Sequence, residues 1–249
     1  RRGLENEELV LHYQPQIDGK TGDMVGVEAL LRWKHPVHGL VGPHEIIPIA
    51  EKSGLILEIG SWVIREACHQ ARRWQDEYGQ KLRMAVNVSV RQMQQPGFAD
   101  SIAHELAISG LPAEDLEIEV TESMIQDEVS MIQTLHDLRE VGVSLAIDDF
   151  GTGYSCLRSI KSLPISRIKI DRAFVSGVPG NSDDVALINA MLAMAGALGL
   201  SVTAEGVETK AQYDFLRDVP GIKLQGFLFG KPVPAEEVFA PTIGKTKQF

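Results

Sequence analysis

Only two of the 249 residues are cysteine, Cys68 and Cys156, and their spacing matches neither a metal-binding nor a redox pair. A disulfide-stapled scaffold is therefore excluded, and a reduced cytoplasm is the simplest compartment. No apolar run is long enough to span a bilayer, and no secretory signal opens the chain. No Ser/Pro-rich linker or low-complexity tract interrupts it, which favours one domain over two small ones. Positive charge is scarce: 24 Lys and Arg stand against 34 Asp and Glu, a net −10. That is the wrong sign for gripping duplex nucleic acid through its phosphates, and an anionic substrate would need cations bound locally. An initiator methionine is also missing. Residues 1–8 read as a charged helical lead-in to a domain excised from a longer protein, with any sensor or membrane anchor expected outside it.

What is present centres on Leu145-Ala146-Ile147-Asp148-Asp149-Phe150-Gly151-Thr152-Gly153-Tyr154-Ser155. An apolar run with a β-branched residue reads as a buried strand, and it meets two adjacent carboxylates and a glycine-rich turn. Side chains alternate along a strand, so Asp148 and Asp149 can both serve one site only if the strand is ending there. Alone, the pair reads equally well as a solvated turn.

The pattern recurs. Strand-like runs fall at Leu9–Ile17, Val25–Leu31, Met84–Ser89, Leu116–Thr121, Ser144–Asp148, Arg167–Asp171, Ser201–Glu205 and Ile222–Gly226. From the second onward they alternate with helical patterns. Ile59 to Tyr78 and Asp127 to Val141 carry apolar residues at helical spacing. Ser182 to Leu198 is apolar almost all round, which predicts a well-covered helix, and Thr209 with Gln212 has capping-box spacing. Eight strands alternating with helices in this length fit a (β/α)₈ barrel spanning residues 9–240, with a tail at 241–249. A doubly wound open sheet is the rival. Strands one and two are joined only by Asp18 to Asp23, too short for a parallel crossover, so the first strand is expected to run antiparallel to the second.

From the second onward the runs carry or close on polar residues: Glu28, Asn87, Glu119 with Glu122, Asp148-Asp149, Lys169 with Asp171, Glu205 and Gln225. In a barrel these ends converge on the face that holds active sites. Converging carboxylates without cations would repel one another and titrate high. The oxygen set Glu28, Asn87, Glu119, Asp148, Asp149 and Glu205, with no histidine or cysteine, suits two Mg²⁺ or Mn²⁺ ions. Such a pair clamps a phosphate and activates water. Taken singly, each residue has a bland reading as a cap, an ion pair or a backbone partner; the set does not.

The chain resembles the EAL-domain cyclic di-GMP phosphodiesterases. The likeness runs from about Leu9 to Val233. It rests on Tyr13-Gln14-Pro15, Glu28-Ala29-Leu30-Leu31-Arg32-Trp33, Asn87-Val88-Ser89, Glu119-Val120-Thr121-Glu122-Ser123, Asp148 to Ser155, Lys169-Ile170-Asp171, Ala204-Glu205-Gly206-Val207-Glu208-Thr209 and Gln225-Gly226. The resemblance implies hydrolysis of cyclic di-GMP to the linear dinucleotide pGpG. It implies one ion on Glu28, Asn87, Glu119 and Asp148, and a second on Asp148, Asp149 and Glu205. Lys169 and Glu205 would orient and deprotonate the attacking water, and Gln14, Arg32, Asp171 and Gln225 would face the substrate. Glu122 would anchor the loop that starts at Asp149, which links the metal site to a homodimer contact in such proteins. An upstream sensor or cyclase domain would accompany the barrel, with no membrane contact within this fragment. A binding-only receptor is the alternative, although such relatives usually lack a ligand and this chain lacks none. Cys156 and Ile46 depart from the common serine and phenylalanine without removing a ligand.

Overall fold

The computed structural model describes residues 2–125, 129–152 and 157–239. Nine strands are found among them: β1 (Leu9–Asp18), β2 (Met24–His35), β3 (Gly39–Val41), β4 (Arg83–Asn87), β5 (Leu116–Thr121), β6 (Ser144–Phe150), β7 (Arg167–Ile170), β8 (Ser201–Ala204) and β9 (Lys223–Gln225). Neighbours pair parallel from β2 through β4 to β9. β1 is antiparallel to both β2 and β9 and closes the ring. The result is an eight-stranded barrel with helices outside, as expected. The reversed first strand follows from its turn, where Asp18 Oδ1 accepts from the Lys20 and Thr21 amides at 3.0 and 2.8 Å and Gly22 takes a left-handed φ of 76°. The ninth strand, β3, was not expected; it hangs on the end of β2 outside the ring.

Burial on both sides of the strands explains their sequences. In β5, Leu116, Ile118 and Val120 alternate with Glu117 and Glu119, and all five are at most 1% exposed. The apolar set faces the helices. The glutamates point inward and reach across the barrel to β7, so this interior is polar where most barrels of the class are aliphatic. The apolar core lies between sheet and helices. Its long helix Ile56–Tyr78 buries Ile59, Val63, Ala67, Ala71 and Trp74 and ends at left-handed Gly79. The capping box of Thr209 and Gln212 opens the helix Lys210–Leu216 as expected.

The helix Ser182–Leu198 corrects one expectation. Within it only Ile188 and Ala195 are buried, and Leu187 is 46% exposed. A helix that is apolar all round gives no periodic signal for an outer face; here that face is uncovered in a single copy. Residues 127–128 of the helix expected from Asp127, and the tail 241–249, lie outside the described residues. No described helix is long and apolar enough to cross a membrane.

Candidate active site

Lys169 on β7 lies at the centre of the site. It is fully buried, and its Nζ lies 2.7 Å from Glu119 Oε2, 2.7 Å from Glu205 Oε1, 3.1 Å from Asp148 Oδ1 and 3.6 Å from Glu28 Oε2. Four strand ends thus deliver carboxylates to one ammonium. Burial alone would lower the lysine pKa, but Asp148, Glu119, Glu205 and Glu28 together push it well above the ordinary value. The carboxylates are not satisfied in return. Burial holds Glu119 well above the usual glutamate range despite Lys169, and burial pushes Glu205 up to about 8. Glu119 Oε1 is buried without any hydrogen-bond partner.

Asp149 joins this group through a backbone irregularity. β6 does not end at Asp148, contrary to the sequence expectation; it runs to Phe150. Its register against β7 slips between Ile147, paired with Ile168, and Phe150, paired with Ile170. The extra residue is a bulge, and Asp149 takes a left-handed φ of 54°. The Asp149 amide donates to Asp148 Oδ1 at 3.0 Å. One ligand atom each from Asp148, Asp149 and Glu205 lies within 4.8 Å of the others, close enough to hold one ion together. Burial and the neighbouring Asp148 raise the Asp149 pKa.

The remaining sequence candidates surround this centre. Asn87 Nδ2 donates to Glu28 Oε1 at 2.6 Å. Gln225 Nε2 donates to Glu28 Oε2 at 2.5 Å and to Gln14 Oε1 at 3.1 Å, and Gln14 Nε2 donates to the Gly230 carbonyl at 3.2 Å. Asp171 caps the short helix Arg172–Val175 by accepting from the Ala173 amide at 2.9 Å. Arg32 donates to its neighbour's carbonyl, Leu31 O, at 2.8 Å. Gln14, Arg32, Asp171 and Gln225 all line one open cavity of about 1130 Å³ whose floor includes Glu28, Asn87, Asp148, Asp149 and Glu205.

Glu122, 2% exposed, accepts from the Gly151 amide at 2.8 Å and so ties the turn after the aspartates to the end of β5. Only glycine fits at 151, where φ is 98° and a Cβ would press on Met191 and Phe174. The expected dimer contact through the rest of this loop, including Cys156, lies at residues 153–156, outside the described residues.

Two features escaped the sequence reading. The cavity has a side wall of Leu40, Pro43, His44 and Ile47, from β3 and the helix after it. One layer deeper, Glu117 Oε2 accepts from Arg167 Nε at 3.0 Å and lies 3.4 Å from Arg83 Nη1, with Lys223 beside them. The alternation in Leu116-Glu117-Ile118-Glu119 and Arg167-Ile168-Lys169-Ile170 carried that second layer in plain view.

Comparison with known proteins agrees with the geometry. The family model described as EAL domain matches residues 1–232. The chain is 47% identical over 241 residues to the bifunctional diguanylate cyclase/cyclic di-GMP phosphodiesterase MucR of Pseudomonas aeruginosa, covering 96% of this chain and 35% of that protein. It is 42% identical over 235 residues to the cyclic di-GMP phosphodiesterase NbdA of the same organism, covering 94% and 30%. It therefore spans about a third of the length of these relatives. A solved structure of the PaMucR phosphodiesterase in complex with c-di-GMP superposes with a TM-score of 0.91 at 46% identity, covering 96% of this chain and 97% of that one.

Proposed function

The chain belongs to the EAL domain family, and from that premise we propose that it hydrolyses cyclic di-GMP to linear pGpG with the help of two divalent cations, Mg²⁺ or Mn²⁺. One observation carries the reading. Five carboxylates gather around a single lysine on the floor of an open cavity, and a buried oxygen of Glu119 among them has no partner. Five carboxyl groups that share one ammonium and are pushed up by burial need further cations to ionise together, and an all-oxygen donor set selects hard ones.

Glu28, Asn87, Glu119 and Asp148 would hold one ion, and Asp148, Asp149 and Glu205 the other. When bound, the ions neutralise the phosphate and lower the pKa of water beside it. The chain's own residues do the rest. Arg32 offers its remaining guanidinium donors to a phosphate oxygen, and Gln14 and Asp171 border the sugar-phosphate path. Lys169, encircled by four carboxylates, keeps its proton and serves as a fixed positive charge. Glu205, whose side chain is partly open to the cavity where Lys169 is sealed, is the better placed of the two to take a proton from the attacking water. The water oxygen bonds to phosphorus and the bridging ester oxygen leaves with a proton, giving one free hydroxyl and one terminal phosphate.

The exposed apolar face of helix Ser182–Leu198 supports a second copy of this chain as partner. Met191 of that helix packs near Gly151, so such a contact would adjoin the metal-site turn. The barrel is taken to span residues 9–240 after a lead-in at 1–8 and to work in the cytoplasm with a sensor or cyclase domain alongside; the name of MucR, a bifunctional cyclase and phosphodiesterase of which this chain covers 35%, supports the cyclase.

The test is incubation of purified chain with cyclic di-GMP and Mg²⁺ or Mn²⁺. Linear pGpG is expected with either ion and none after chelation. Tight binding without product at any metal concentration would replace the enzyme with a receptor.

A further inference from the structure

Glu28 is held at both oxygens, by Asn87 on one and Gln225 on the other. Behind Gln225 stands a residue that the sequence motifs do not single out. Gln16 on β1 is 0% exposed, and its Nε2 donates to Gln225 Oε1 at 3.1 Å. The strand register explains the meeting: Gln16 pairs with Gln225 of β9 on one side and Gly26 of β2 on the other. Gly26 leaves the room, since a Cβ there would lie 3.1 Å from Gln16 Oε1 and 2.9 Å from the Arg83 carbonyl oxygen.

The polarity of this chain is dictated from one end. An ionised carboxylate only accepts, so Gln225 must turn its NH₂ to Glu28. Both protons of that NH₂ are then used, on Glu28 and on Gln14, and its oxygen must face Gln16. Gln16 must in turn present its own NH₂, which leaves Gln16 Oε1 buried with no hydrogen-bond partner. Leaving a buried acceptor unsatisfied is unfavourable, and the arrangement persists because the reverse would point Gln225 Oε1 at the carboxylate.

We propose that Gln16 is a positioning residue: its amide fixes which way Gln225 faces and, through Gln225, holds the Glu28 carboxylate in the orientation that receives a divalent ion. The proposal rests on the divalent-ion reading above and deepens it. It also gives the reversed first strand a task, because β1 is the element that brings Gln14 and Gln16 alongside both β2 and β9.

The test is calorimetric titration of metal-free protein with Mn²⁺ for wild type, Gln16→Met, Gln225→Met and the double variant. Gln225→Met is expected to weaken Mn²⁺ binding about tenfold or more, as loss of a ligand's outer partner does. Gln16→Met should weaken it about threefold, the scale of one hydrogen bond. In the double variant the Gln16 change should add nothing, because its effect passes through Gln225. Gln16→Asn, which stays neutral and polar but is one methylene too short to reach Gln225, should weaken binding as Gln16→Met does and covers the case in which Gln16→Met does not fold. Wild-type affinity in Gln16→Met or in Gln16→Asn, or an additive loss in the double variant, would overturn the proposal. Absence of saturable Mn²⁺ uptake by the wild type would overturn the divalent-ion reading and this inference with it.

Discussion

Two layers of the barrel interior, set two residues apart on β5 and β7, carry opposite imbalances of charge. The upper layer sets Glu28, Glu119, Asp148, Asp149 and Glu205 around Lys169. The lower sets Arg83, Arg167 and Lys223 around Glu117. The lower layer resolves its excess internally. Burial alone would raise Glu117, but Arg167, Lys223 and Arg83 outweigh it and hold the carboxyl below the usual glutamate range. Burial, with Arg167 and Arg83 alongside, pushes Lys223 down to about 7, so loss of one proton relieves the strain. The upper layer opens to the cavity and holds an excess that one lysine cannot cancel. The difference teaches that buried charge of either sign is tolerable in this barrel, and that the end reachable by solvent is where outside cations can finish the balance.

The largest effect that would break the comparison is loss of an upper acid. Glu119→Ala is expected to reduce turnover by more than about 100-fold, beyond what loss of an outer partner does, and a steady-state assay within a few fold of wild type would refute its assignment. Lys169→Met should destabilise the metal-free protein by about 3 kcal/mol, since it leaves buried acids uncompensated. Mn²⁺ should then stabilise the variant more than it does wild type in thermal melts. Equal metal-induced shifts would mean the ions do not share the lysine's task.

The lower layer gives the smaller effect and a definite sign. The lysine pKa is about 7 folded against an ordinary value of 10.5. Below pH 7 both states hold the proton and the folded state bears the whole penalty. Between about 7 and 10.5 the unfolded chain binds more protons, so this group adds stability as pH rises. Lys223→Met should therefore stabilise the protein by about 1 kcal/mol or more at pH 6, with the gain gone near pH 10.5. A gain independent of pH would show that the layer's charges are well matched as they stand.

Much of this architecture was legible beforehand, for physical reasons. Strand ends announce themselves where an apolar run meets a polar residue, and a six-residue turn cannot carry a parallel crossover, so the barrel, its reversed strand and the upper acids followed from pattern. β3 did not, because three residues paired at the barrel's rim have no periodicity to detect. The bulge at Asp149 is invisible in one strand's sequence; it exists only in the slip against β7. The lower layer is present as strict alternation in β5 and β7, but charged residues inside an apolar run carry no sign of which face they take until the barrel closes around them. Gln16 sits in a run where nothing marks it until Gln225 and Gly26 are brought alongside.

The most direct measurement is a crystal grown with Mn²⁺ and examined by anomalous scattering. The account predicts two peaks, one contacted by Glu28, Asn87, Glu119 and Asp148 and the other by Asp148, Asp149 and Glu205. Density with no peak in this cluster, and Lys169 alone still bridging its four carboxylates at saturating Mn²⁺, would contradict it.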